Sequence, residues 1–240
     1  MALSLMLPTI CFPLKFCPRR STTTTMAATL NSYSSNKRRS TLLFDVMDTL
    51  VRDPFYHDVP AFFGMSMKEL LECKHPTAWI EFETGVINET ELARKFFKDG
   101  RPFDLEGLKS CMRKGYSYIE GVEELLQALK QSNYEMHAFT NYPIWYEMIE
   151  DKLQLSTYLS WTFCSCKSGK RKPDPEFYWQ ALRDLKVDAD SCIFIDDRLR
   201  NVEAAVEVGM VGLQFKNVDL LRQDLSKLGI EFDLTEQHLS

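Results

Sequence analysis

Thr41-Leu42-Leu43-Phe44-Asp45-Val46-Met47-Asp48-Thr49-Leu50 is the stretch on which the reading of this chain turns. Its short apolar run reads as a buried strand, and Asp45 is the carboxylate released where that strand ends. Comparable runs return at Glu135 to Phe139, Trp161 to Phe163, Cys192 to Ile195 and Val211 to Phe215. Helix-period segments separate them: Val122, Leu125, Leu126 and Leu129 share one face, as do Phe177, Tyr178, Ala181, Leu182 and Leu185. A third face, Val202, Ala205 and Val206, stops at Gly209, and Asp174 before Pro175 marks a helix start. Strands alternating with helices predict an α/β fold with a doubly wound parallel sheet, whose ligands sit beyond the carboxyl ends of the strands.

The span from the first strand to the second is far too long for a simple crossover, and its pattern is helical. Ser66 with Glu69 and Asn88 with Glu91 form expected capping boxes. The expected organisation is therefore a leader over 1–40, a sheet core over 41–53 and 119–240, and an inserted helical cap over 54–118. No glycine pair forms G-x-G, which removes both the dinucleotide fingerprint and the Walker loop.

Composition narrows the class. No apolar run reaches the roughly 18 to 20 residues of a membrane span. The seven cysteines are odd in number and lack zinc-ribbon spacing, which points to reduced thiols. Cys164 and Cys166, two apart in a strand-like stretch, are expected on one face as packing residues. No Asp or Glu precedes Asp45, while Ser, Thr and six Lys or Arg accumulate before it, a transit-peptide composition. Its Ser/Thr bias and Met-Ala start favour a plastid over a mitochondrion. Without those six cations the formal charge falls from -5 to about -11, an acidic body that makes a poor partner for nucleic acid.

Four segments at predicted strand ends carry the chemistry. Asp45 can attack phosphorus and form an aspartyl phosphate that water then hydrolyses. Thr140 and Asn141 can donate hydrogen bonds to phosphoryl oxygens. Lys172, in Lys172-Pro173-Asp174-Pro175, can neutralise both the nucleophile and the transferring group. Asp196 and Asp197 suit Mg²⁺ as hard oxygen ligands. Each segment alone is an ordinary turn or cap; together, in order, they specify a phosphoryl-transfer site.

Over Thr41 to Asp233 these segments resemble the four motifs of the haloacid-dehalogenase-like hydrolases. The resemblance implies a Rossmann-like core with a helical cap and Asp45 as nucleophile and Mg²⁺ ligand. It further implies phosphate contacts from Thr140 and Asn141, Lys172 as stabilising cation, and Asp197 with Asp196 as the metal pair. Longer stretches, including Arg52-Asp53-Pro54-Phe55-Tyr56 and Phe139 to Tyr146, look like the plant chloroplast members that hydrolyse flavin mononucleotide (FMN). That likeness implies FMN as the small phosphate ester, with riboflavin and phosphate as products, and the chloroplast stroma as the site of action. Tyr142 and Trp145, next to Asn141, then become candidates for a flavin platform, whereas Phe62, Phe63, Trp79 and Phe82 are expected to pack cap against core.

The chain departs from the family pattern at Met47, where phosphatases usually carry a second Asp as general acid and base. A thioether cannot shuttle a proton, although the Met47 backbone carbonyl can still ligate Mg²⁺. Asp48 is the nearest replacement, with a turn role equally open to it. Three further readings stay open at this level: another phosphate ester as substrate, a metal-independent dehalogenase-like hydrolase, and a catalytically weak phosphate-binding protein.

Overall fold

The computed structural model describes residues 40–232. The expected leader, except for Ser40, and residues 233–240 lie outside them. Strand β1 (Thr41–Phe44) is the centre of a five-stranded sheet in which β2 (Met136–Thr140), β3 (Ser160–Cys164), β4 (Cys192–Asp196) and β5 (Val211–Gln214) follow the order β3-β2-β1-β4-β5. Every pairing is parallel, with Phe44 opposite Ala138 on one side and Ile195 on the other. The chain builds outward through β2 and β3, then returns to the other side of β1 for β4 and β5. That reversal opens a crevice at the carboxyl end of β1.

Helices cover both faces, so every residue of β1, β2 and β4 is buried. Side-chain alternation divides the core in two. Leu43, Phe139 and Phe194 meet Phe177, Tyr178 and Ala181 of α10 (Pro175–Leu185) and Ala205 of α11 (Leu199–Glu207). Leu42, Phe44, Ala138, Ile193 and Ile195 point to the opposite face. There they join α7 (Val122–Gln131), α8 (Tyr146–Leu153) and α12 (Val218–Lys227) through Leu126, Ile149 and Leu225. Asp174 caps α10 through the Glu176 N–H with Pro175 in the first turn, and Gly209, at φ 93°, ends the α11 segment.

Between β1 and α7 run six helices: α1 (Pro54–His57), α2 (Val59–Phe62), α3 (Met67–Cys73), α4 (Ala78–Glu83), α5 (Glu89–Lys95) and α6 (Leu105–Gly115). Both expected capping boxes form, at Ser66 with Glu69 and at Asn88 with Glu91. Phe63 gathers Phe96, Phe97 and Phe103 at ring separations of 5.5, 5.2 and 5.6 Å, an apolar centre for these helices. The turn after α4 comes close to the short helix α9 (Ser165–Ser168): a Cβ at Gly85, where φ is +73°, would lie 2.6 Å from the Cys166 carbonyl oxygen. Only glycine allows both that approach and that backbone conformation.

Strand ends shift by at most one residue from the sequence reading, and one shift matters. Thr140 is the last residue of β2, not part of its loop, so its side chain is buried at the crevice. Cys164 and Cys166 do not share a strand face: β3 stops at Cys164 and Cys166 belongs to α9, because the chain turns helical at Ser165.

Candidate active site

The floor of the crevice is a buried lysine between acids. Lys172 is 1% exposed, and its Nζ donates to Asp45 Oδ1 at 2.8 Å and Asp196 Oδ2 at 2.6 Å. The ammonium lies over aromatic rings, with Nζ 5.6 Å from the Phe139 centroid and 5.1 Å from that of Phe194. Asn141 sets the lysine's place from the backbone: its amide donates to the Lys172 carbonyl and accepts from the Lys172 N–H, both at 2.8 Å. The side chain expected to meet phosphate is thus also a two-point clamp between the second and third segments.

Asp45 continues the ladder beyond β1, its N–H donating to the Ile195 carbonyl at 2.8 Å. Thr49 joins the first and fourth segments: its hydroxyl donates to Asp45 Oδ2 at 3.3 Å and accepts from the Asp197 N–H at 3.0 Å. Asp45, Asp196 and Asp197 each present an oxygen within 4.8 Å of the others. The acid pair divides its work. Asp196, fully buried, accepts from Lys172, from the Asn201 amide at 3.0 and 3.1 Å, and from the Arg198 N–H at 2.8 Å. Asp197 keeps an open carboxylate whose ion-pair partner is Arg198, at 3.9 Å and mostly solvated. Thr49 and Asn201 escaped the sequence reading. Thr49 had a signal in its spacing from Asp45, whereas Asn201 sits in an ordinary helical turn.

Three carboxylates around one buried ammonium leave a formal excess of two negative charges. Burial, opposed by Lys172 and reinforced by Asp196, pushes the Asp45 carboxyl up to about 7. Burial and the Asp196 charge push Asp197 up to about 6. Lys172 moves the other way. Burial opposes its charge, yet Asp196 and Asp45 outweigh it and hold the ammonium above its ordinary value. The donor set, all hard oxygen with a two-charge excess, fits a divalent cation such as Mg²⁺.

Above this floor is a cavity of about 270 Å³, lined by Asp45, Met47, Asn141 and Lys172 below and by Phe55, Trp79 and Tyr142 at the sides. Thr140 Oγ1 is buried with no hydrogen-bond partner among the described residues. Tyr142, a candidate for the flavin platform, lines the cavity, and its hydroxyl is held 2.7 Å from that of Tyr116. Trp145 does not. It is 2% exposed, donates to Glu89 at 2.5 Å and packs 5.2 Å from Phe82, so it joins the helices of 54–115 to the sheet. Trp79 lines the cavity in its stead, 5.8 Å from Trp145. Of the two roles open to Asp48, the structure builds the turn: φ is 56°, its N–H donates to the Val51 carbonyl and its carboxylate accepts from the Asp53 N–H at 2.9 Å.

Known proteins share the sequence and the fold of this chain. The chain is 68% identical over 197 residues to flavin mononucleotide hydrolase 1, a chloroplast protein of Arabidopsis thaliana, covering 82% of this chain and 80% of that one. It is 27% identical to an N-acetylmuramic acid 6-phosphate phosphatase of Pseudomonas putida, covering 72% of this chain and 80% of the relative. Among solved structures, a HAD-family enzyme of Bacteroides thetaiotaomicron in complex with magnesium and inorganic phosphate shares the fold. Its TM-score is 0.60 at 19% identity, over 74% of this chain and 94% of the other. The model of the haloacid dehalogenase-like hydrolases matches residues 40–209. Because that match runs from just before β1 to the turn after α11, and so contains all four segments that build the site, the chain belongs to the haloacid dehalogenase-like hydrolase family.

Proposed function

We propose that this hydrolase is a Mg²⁺-dependent phosphomonoesterase that converts FMN to riboflavin and phosphate, with Asp45 as nucleophile. The observation that carries the proposal is the Asp45–Lys172–Asp196 bridge beside the open Asp197 carboxylate, at the floor of a cavity with aromatic sides. Asp45 Oδ attacks phosphorus, and Lys172 keeps positive charge beside the developing aspartyl phosphate. The buried hydroxyl of Thr140 is a donor for a phosphoryl oxygen, and Asn141 holds Lys172 in line. Asp45, Asp197 and the Met47 carbonyl would hold Mg²⁺, with Asp196 behind them. The bound cation would neutralise the acid cluster and polarise the phosphoryl group.

The choice of FMN is supported by the 68% identity to the Arabidopsis enzyme and by the rings of Trp79, Phe55 and Tyr142 along the cavity, which suit a flat heteroaromatic head. The helices of 54–118 act as the cap that selects it. The acid-free, basic leader and the chloroplast location of that relative support delivery to the stroma. Purified protein with Mg²⁺ is expected to release phosphate from FMN in preference to sugar phosphates and other nucleotides. No release from FMN in such a panel would overturn the substrate assignment.

Metal binding should show a specific pH dependence. Asp45 and Asp197 have folded values of about 7 and about 6 against an ordinary 3.8, so between those limits the folded protein holds more protons than the unfolded chain. Stability of the metal-free protein therefore falls as pH rises from about 4 to about 7. A cation that binds the ionised acids returns that stability. Saturating Mg²⁺ at about 100 times its dissociation constant adds about 2.7 kcal/mol, a rise of roughly 5–10 °C in melting midpoint near pH 8. Near pH 5 protons occupy the ligands and the rise should nearly vanish. Equal shifts at both pH values would count against these acids as the site.

A further inference from the structure

Met47 puts a thioether where the first segment would carry a proton donor, yet another carboxyl lines the cavity that holds Asp45. Asp53 is 7% exposed and lines the same cavity as Asp45, Met47 and Lys172. It stands at the end of the loop that leaves β1, and that loop is tightly tied. Asp48, in its left-handed turn, accepts from the Asp53 N–H; Val51 bridges to Tyr118; and the Arg52 N–H donates to the Ser117 carbonyl at 2.9 Å. One carboxyl oxygen of Asp53 caps α1, accepting from the Phe55 N–H at 2.9 Å. Among the described residues, none donates to the other.

The remaining acidic groups at the cavity are committed. Glu83 is paired with Arg171 at 3.0 Å, the Tyr142 hydroxyl with that of Tyr116, the Tyr56 hydroxyl with Arg198, which donates to it at 3.4 Å, and Asp45 with Lys172. Burial, together with the charges of Asp48 and Asp197 and against the Phe55 N–H and Arg198, raises the Asp53 carboxyl to about 7. An acid so placed is protonated in part of the protein at neutral pH and can both give and take a proton.

We infer that Asp53 is the general acid and base of this enzyme, taking from the far end of the loop the part that position 47 has lost. The inference rests on the phosphomonoesterase reading. As Asp45 Oδ bonds to phosphorus, the phosphorus–oxygen bond to the ester breaks and its electron pair stays on the alkoxy oxygen. That oxygen receives the Asp53 proton and leaves as the alcohol. Water then attacks the aspartyl phosphate and gives one proton to the Asp53 carboxylate; phosphate departs, and Asp45 is a carboxylate again. Both groups end as they began.

The test compares leaving groups. FMN expels a primary alkoxide that needs a proton, whereas p-nitrophenyl phosphate expels a phenolate that does not. The quantity kcat/KM reports only steps up to aspartyl phosphate formation, which separates leaving-group help from later attack by water. Asp53→Asn and Asp53→Ser both keep a cap for α1 but carry no acid. In each folded variant, kcat/KM for FMN relative to p-nitrophenyl phosphate is expected to fall by about 10² to 10⁴. A merely structural role would lower both substrates together, so a ratio that moves less than about tenfold overturns the inference. Should wild-type protein leave FMN intact but cleave another alkyl phosphate such as glycerol phosphate, the same ratio is read there. The substrate assignment then fails and the acid assignment is still decided. A wild-type protein that cleaves no phosphate ester removes both.

Discussion

Asp45→Asn is expected to lower phosphate release by about 10⁴-fold or more, at least about 5.5 kcal/mol of barrier, with the fold intact. The asparagine keeps the shape and the backbone bond to Ile195, so β1 still ends where it does. What disappears is the anionic oxygen of the proposed nucleophile, and Asp196 behind it is fully buried and saturated with donors. The variant also removes one of three mutually repelling acids while Lys172 retains Asp196 at 2.6 Å. Metal-free thermal stability near neutral pH should therefore hold or rise, and the stabilisation by Mg²⁺ should shrink. Steady-state turnover with paired melting curves checks both halves. Activity within tenfold of wild type would remove Asp45 as the nucleophile and favour a protein that merely binds phosphate.

Lys172→Met is expected to damage the fold as well as the chemistry. Methionine fills much of the lysine's place by Phe139 and Phe194, but Asp45, Asp196 and Asp197 then face one another with no buried cation. Removing one partner of a buried pair typically costs about 3–5 kcal/mol, which for a chain of this size is roughly 10 °C in melting midpoint. The loss should be largest near pH 8 and smaller near pH 5, where the acids take up protons and need no counter-charge. Added Mg²⁺ should recover part of it by supplying positive charge to the same oxygens. Turnover should fall by at least about 10²-fold, since the cation proposed to face the phosphoryl group is gone. Denaturant unfolding at the two pH values, with and without Mg²⁺, measures the effect. A loss independent of pH would mean that the lysine acts through packing and not through charge.

The strand-ending residues were the legible part of this protein. A short apolar run closed by Asp45, another by Asp196, and Pro175 behind Asp174 are local statements: burial, strand period and helix-start chemistry act within a few residues. Met47 was legible as a missing acid for the same reason, since side-chain chemistry at one position does not depend on the fold. The aromatic residues were not. Trp145 stands nearer in sequence to Asn141 than Trp79 does, yet Trp79 lines the cavity and Trp145 lies packed against Phe82. Which of several rings faces a cavity is set by how helices more than sixty residues upstream settle on the sheet, and no local pattern encodes that.

By itself, then, the sequence determined a parallel α/β sheet, the four segments at its carboxyl edge, and the acids and lysine of the candidate site. Tertiary structure alone decided how those groups share their work: Asp196 turned to Lys172 and Asn201, Asp197 left open, Asn141 clamping the lysine backbone, and Asp53 carried into the cavity. The division has a physical cause. Residue type and period fix what a segment can be, whereas hydrogen-bond partners and burial arise between segments as distant in the chain as Asp45 and Lys172, and only packing brings those to 2.8 Å.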